Sequence, residues 1–224
     1  MPLSMWRMIA RTPRWARIMA VVVLAGAIIL GVPAVRPSVL RAAGWALVAN
    51  DGLEPSDIIV IAVDAGGAGV LEAADLVHAG IAPRVAVFAG GPPDSVEREF
   101  ARRGIAYEGP IPLKLPLLKA LGVTAIELIP TAVAGTTSEA DALSGWCAQR
   151  RFQSIVVVSA TDHSRRLRRM LRRAMKNHQT RVIIRPARHS TFDPDRWWET
   201  RAGVRTEIIE IQKLLFDVIR HPIS

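Results

Sequence analysis

The chain has 224 residues, half of them hydrophobic and 22% charged, which excludes a disordered tail and suits one membrane segment followed by one domain of ordinary size. The net charge of +9 is not a nucleic-acid signature. Six arginines (Arg7, Arg11, Arg14, Arg17, Arg36 and Arg41) fall in residues 1–41 with no acid among them, leaving +3 for everything after. The lone Cys147 excludes an internal disulfide and a cysteine zinc cluster, and no His or carboxylate spacing points to another metal. Cys147 reads as a small hydrophobe inside a helix.

Residues 18–35 (IMAVVVLAGAIILGVPAV) form an uninterrupted apolar run, just long enough to cross a ~30 Å hydrocarbon layer as a helix. Residues 1–17 are its basic flank, whose four arginines place the N-terminus in the cytoplasm and the rest of the chain outside. Trp6 and Trp15 suit the membrane interface. A cleaved signal peptide is the alternative, with Val32-Pro33-Ala34 as the cleavage region, but the run exceeds the ~7–15 residues of a typical signal core. A retained anchor is therefore the favoured reading: a single-pass bacterial inner-membrane protein. Both readings export the domain.

Residues 36–56 read as a linker carrying a short helix over 41–49, and residues 57–220 as the domain. Strands are expected at 57–63, 84–89, 125–129, 154–159 and 181–185, each a short Val- and Ile-rich run. Helical patterns alternate with them at 69–79, 94–103, 113–121, 138–150, 163–177 and 205–220. The prolines at 110, 112 and 116 make residues 107–116 a loop or flap. The order predicts an α/β fold, a three-layer doubly wound (Rossmann-like), mainly parallel sheet.

In that fold a ligand lies beyond the carboxyl ends of the strands, so the residues after each strand delineate the site. After the first come Asp64-Ala65-Gly66-Gly67-Ala68-Gly69, and after the second Gly90 and Gly91. The spacing is not that of a dinucleotide fingerprint; a tight turn and a phosphate cradle both fit, and two such loops side by side favour the cradle. After the third strand, Thr136 and Glu139 have the spacing of a capping box, which is compatible with the Thr136 hydroxyl touching a ligand. After the fourth come Ser159, Thr161, Asp162 and His163, with Arg166 one helical turn on. His163 suits proton transfer and Arg166 an anion clamp. Arg185, Arg188 and His189 after the fifth strand are placed to close the site from the far side. Along 165–176, Leu167, Met170, Leu171 and Ala174 form a buried stripe, which leaves the arginines as a solvated basic face or, alternatively, one attracted to anionic head groups.

These motifs together resemble the YdcF/SanA/ElyC family of bacterial envelope domains over residues 57 to about 216. The resemblance is carried by Asp57-Ile58-Ile59-Val60-Ile61, Ala73-Ala74-Asp75-Leu76 with His78-Ala79-Gly80, the Ala89-Gly90-Gly91 turn, and Leu121-Gly122-Val123. It continues in Thr136-x-x-Glu139-Ala140, in Val157-Val158-Ser159 followed by His163-x-x-Arg166, and in Glu207, Glu210 and Lys213 of a closing helix. The chain departs from the family at Val70, where an arginine is usual, at Asp64, where a glycine is, and in a longer 94–116 segment bearing Glu97, Glu99 and Glu108. The resemblance implies a role in envelope or peptidoglycan precursor metabolism, and one branch of the family is linked to S-adenosylmethionine. Three functions follow: an envelope protein binding or processing a phosphate-bearing precursor, small or lipid-linked; an S-adenosylmethionine-type binding module, which export disfavours; or a non-catalytic envelope regulator. The candidate catalytic residues are His163 and Asp64. The candidate ligand set is Gly66, Gly67, Gly90, Gly91, Thr136, Ser159, Thr161 and Arg166, with no metal and no nucleic acid.

Overall fold

A computed structural model describes residues 13–17, 19–21, 31–90, 95–105, 114–130, 133 and 135–222. The chain divides into two compact units, Met1–Ala43 and Gly44–Ser224. In the first, the side chains of Trp15, Met19 and Val21 are 69%, 55% and 65% exposed. Among the described residues no helix is long and apolar enough to cross a membrane. Ile18 and residues 22–30 of the apolar run lie outside the described residues. A helix, α1, runs over Arg36–Ala46 instead of 41–49, taking Pro37 into its first turn, where no N–H is required.

The second unit holds a five-stranded, wholly parallel sheet: β1 (Ile58–Ile61), β2 (Val85–Phe88), β3 (Ile126–Ile129), β4 (Ser154–Ser159) and β5 (Arg181–Pro186), in the order β3-β2-β1-β4-β5. Every residue of β1, β2 and β4 is buried, which is why these strands read as continuous apolar runs and not as alternating ones. β1 is followed by α2 (Gly66–His78), β2 by α3 (Ser95–Arg102) and α4 (Lys114–Ala120), β3 by α5 (Thr136–Arg150) and β4 by α6 (Ser164–Ala174). The last helix, α7, spans Arg201–Arg220. α2 packs with α4, and α5 with α6, which in turn meets α7. Right-handed crossovers in a sheet whose direction of growth reverses after β3 put these two groups on opposite faces, the three-layer Rossmann-like arrangement.

The linker contributes to this unit. Leu47, Val48 and Ala49 are buried, Ser164 Oγ accepts from Ala49 N–H at 2.8 Å, and Asp51 exchanges hydrogen bonds with Ile184 on β5. Cys147 is fully buried and burial pushes its thiol up to about 12, which leaves it chemically quiet. The glycine segment after β1 is more compact than an open loop: Val63–Ala65 forms a 3₁₀ turn and α2 begins at Gly66, three residues earlier than the pattern predicts. Gly66 has φ +51°, and a Cβ on Gly69 would run into Ala65 and Ile61, so Gly69 lets the helix lie close on β1.

The arginines of α6 do not form the expected solvated face. Leu167 and Leu171 are buried as the stripe requires, with Met170 and Ala174 half-buried, but the basic residues between them, exposed Arg172 apart, are tied to protein groups. Arg165 donates to the carbonyls of Trp45 and Val48, Arg168 pairs with Asp51, and Arg169 and Arg173 both hold the buried Asp217 of α7. A helix-wheel pattern shows which side faces the sheet; it does not show that a second layer, here α7 and the linker, brings acids to the other side.

Candidate functional site at the β1/β4 switch point

The sheet order reverses between β1 and β4, and there a cleft of about 620 Å³ opens at the carboxyl edge. The turn after β1, the start of α5, the turn Thr161–His163 after β4, and α7 surround it. Asp64, Gly66, Gly67, Thr136, His163 and Arg166 all line this cleft, although the first and last are just over a hundred residues apart in sequence. The N-termini of α2, α5 and α6 reach its edge, which places the positive ends of three helix dipoles around one space.

Of the remaining sequence candidates, Asp162 and His189 also line the cleft and the others lie elsewhere. Gly90 lies two residues beyond β2 and accepts from Val133 N–H at 3.1 Å, while Gly91 lies outside the described residues. Ser159 is buried and donates to the Ala160 carbonyl at 3.2 Å. Thr161 donates to the Ala187 carbonyl at 3.1 Å and its N–H reaches Ser190 Oγ, so it fastens the loop after β5. Of the cations after β5, exposed His189 lines the cleft. Arg185 and Arg188 are instead bound to Glu72, a carboxylate with no exposed surface in the middle of α2. Val70 is a core residue.

His163 is buried and sits in a network of side chains. Its Nδ1 lies 2.7 Å from Arg166 Nη2 and 3.5 Å from Glu210 Oε2; its Nε2 lies 3.3 Å from Thr136 Oγ1 and 4.0 Å from Asp64 Oδ2. Arginine can only donate, so the neutral imidazole accepts at Nδ1 and carries its proton on Nε2. Protonation would turn Nδ1–H toward Glu210, so both charge states have a partner. Thr136 Oγ1 accepts from His163 Nε2 and from Arg166 Nη1 at 3.2 Å, which leaves its own hydroxyl hydrogen for a ligand.

Arg166 is a strut as much as a clamp. Its Nε and Nη2 donate to Glu210 Oε2 at 3.2 and 3.1 Å, Nη2 also to His163 and Nη1 to Thr136, leaving one Nη1 hydrogen for a ligand. Burial disfavours charge on Glu210, but the hydrogen bond from Nδ1–H of protonated His163, that of Lys213 and the Arg166 charge outweigh it and hold this carboxyl at about 2.

Two further carboxyls behave in the opposite way. Asp64 keeps 30% of its side chain open to the cleft, yet burial raises its pKa against the opposing charges of His163 and Lys114. Glu139 is 4% exposed; burial, reinforced by the Asp64 charge, lifts it to about 7. Its Oε1 accepts from Val63 N–H at 2.9 Å, beside Asp64, while Oε2 has no hydrogen-bond partner among the described residues. The expected capping box is therefore absent: Gly135 is the N-cap of α5, and Glu139 instead reaches across to the end of β1. Buried Lys114, at the start of α4, donates to the Ala62 and Val63 carbonyls from behind the same turn.

Residue pattern alone missed the functional side of Glu139, Glu210 and Lys114. A signal for α7 was present. Gly203, Glu207, Glu210, Leu214 and Asp217 are its buried positions, spaced by four and three residues, so three acids fall on the inward stripe of an amphipathic helix. Acids there require inward partners.

No model of a known protein family matches the chain, and no curated protein sequence does. A solved structure described as guanylylpyridinol- and ATP-bound HcgE from Methanothermobacter marburgensis is similar at 12% identity and a TM-score of 0.33, over 78% of this chain and 100% of that one. The sheet order and connectivity make the second unit an α/β Rossmann-like domain of wholly parallel strands.

Proposed function

We propose that this chain is a membrane-anchored bacterial envelope protein of the YdcF/SanA/ElyC type, whose cleft binds or processes a phosphate-bearing precursor. The observation that carries the reading is the convergence of Asp64, Glu139 and His163 with three helix N-termini on one space. A phosphate there meets the free Thr136 hydroxyl hydrogen, the remaining Arg166 Nη1 hydrogen and the first-turn N–H groups of α2. Asp64, across from His163 Nε2, takes the proton of an attacking water or hydroxyl as the new P–O bond forms. His163 Nε2–H or protonated Glu139 returns a proton to the oxygen that leaves. The anchor rests on the arginine flank and on the uncovered apolar side chains in the described parts of the run.

Two results check this reading. Alkaline phosphatase fused after Ser224 should be active in cells, whereas an inactive enzyme with a fluorescent GFP fusion at the same point would overturn the topology. Mass spectrometry of the full chain extracted from membranes should find a phosphorus-containing small molecule bound; a retained ligand without phosphorus would overturn the substrate class.

A further inference from the structure

A second groove, of about 380 Å³, opens beside the cleft between α5, α6 and α7. Ala140, Met170, Ala174 and Phe216 form its apolar surface. Arg166 and Lys213 belong to the walls of both spaces, so the groove is continuous with the place where a phosphate would sit. Its charged rim is mainly cationic. Lys213 stands at the cleft end and Arg220, stacked at 4.8 Å over the Phe216 ring, at the other. Asp217 in its wall is neutralised by Arg169 and Arg173, while Asp141 on α5 is the exposed acid of the rim. Beyond Phe216, which is 59% exposed, α7 continues the apolar path with Leu215 at 55% and Ile219 at 77%.

We infer that this groove seats the hydrocarbon chain of a phosphate-bearing amphiphile whose head group lies in the cleft. The inference rests on the phosphate reading of the cleft and adds the substrate class. A water-soluble phosphate ester would leave the groove wet and its apolar wall unused. An amphiphile dehydrates that wall, and its anionic head meets Lys213 and the helix N-termini. The open end at Leu215 and Ile219 lets a chain longer than the groove run out over apolar surface.

The test compares decyl phosphate, below its micellar concentration, with ethyl phosphate, each titrated by calorimetry into the full chain in a non-ionic detergent. The parent should bind decyl phosphate roughly tenfold or more tightly than ethyl phosphate, since part of the added chain leaves water. Phe216→Asn removes the apolar wall and Thr137→Trp fills the groove from α5; both positions are exposed, so both variants should fold. Each should lose most of the chain-length gain while keeping the parent's affinity for ethyl phosphate. A gain that survives both substitutions, or equal binding of the two esters by the parent, would overturn the groove. Failure of both esters to bind the parent would overturn the phosphate reading and this inference with it.

Discussion

Replacing Glu139 by glutamine should make the protein more stable at pH 8 by about 3 kcal/mol and change it little at pH 4. Glu139 is lifted from an ordinary 4.5 to about 7, chiefly by burial. A carboxyl whose pKa is raised by folding stabilises the native state below the unfolded value and loses that contribution as pH rises through the folded one. The parent should therefore lose stability between about pH 4.5 and 7, where the unfolded chain has released this proton and the native state has not. Glutamine copies the protonated acid: its Oε1 can still accept from Val63 N–H, and an amide replaces the unpartnered Oε2. Glu207, lifted to about 7 by burial and the Asp162 charge and with its Oε2 buried and unpartnered, adds to the same window. Glu210, held at about 2, acts oppositely: its contribution is present above 4.5 and lost as pH falls toward 2. Denaturant unfolding of parent and Glu139→Gln at both pH values measures the difference. An equal effect at pH 4 and pH 8 would mean that Glu139 is not held protonated. A stabilising substitution in a cleft marks a residue kept for its chemistry.

Arg166→Ala should cost about 3 kcal/mol, the lower end of the range for breaking a buried ion pair, because Lys213 remains on Glu210 Oε1 at 2.6 Å. For a domain of this size each kcal/mol moves the melting temperature by roughly 2–4 °C, so the loss should be about 6–12 °C. Arg166→Lys should not recover it, since one ammonium cannot reach Glu210, His163 Nδ1 and Thr136 Oγ1 together. Arg166→Leu combined with Glu210→Met should recover most of it by removing both charges. Differential scanning calorimetry of the parent and the three variants decides the matter. If Arg166→Ala melts with the parent, the guanidinium is a free clamp and the network around His163 does not depend on it.

The sheet was legible because its central strands β1, β2 and β4 are short apolar runs buried along their whole length, with the shorter Ile- and Val-bearing runs of β3 and β5 at its edges. The expected strand at 57–63 is longer than Ile58–Ile61 because Val63 leaves the ladder for the 3₁₀ turn that aims Asp64 at the cleft. The switch-point rule then brought Asp64, Thr136, His163 and Arg166 to one place from sequence alone. Their partners were not legible, because partner choice is a tertiary matter. Thr136 and Glu139 have capping-box spacing, but Val63 N–H lacks a strand partner and takes the carboxylate. Arg185 and Arg188 follow a strand as site residues do, yet Glu72 in the adjoining helix holds them. Arginines spaced along α6 look solvated until Asp217 and Glu210 arrive from α7, some 44 to 48 residues later.

The most direct test of the account uses Gly67. A Cβ there would meet nothing within 4 Å, and Gly67 lines the cleft, so Gly67→Leu should fill the ligand space without disturbing the core. Titrating ethyl phosphate and following its ³¹P resonance should give saturable binding to the parent and none to Gly67→Leu, with both proteins melting within a few degrees of each other. Saturable binding of equal strength to the two proteins, or none to the parent, would contradict the assignment of this cleft as a phosphate site.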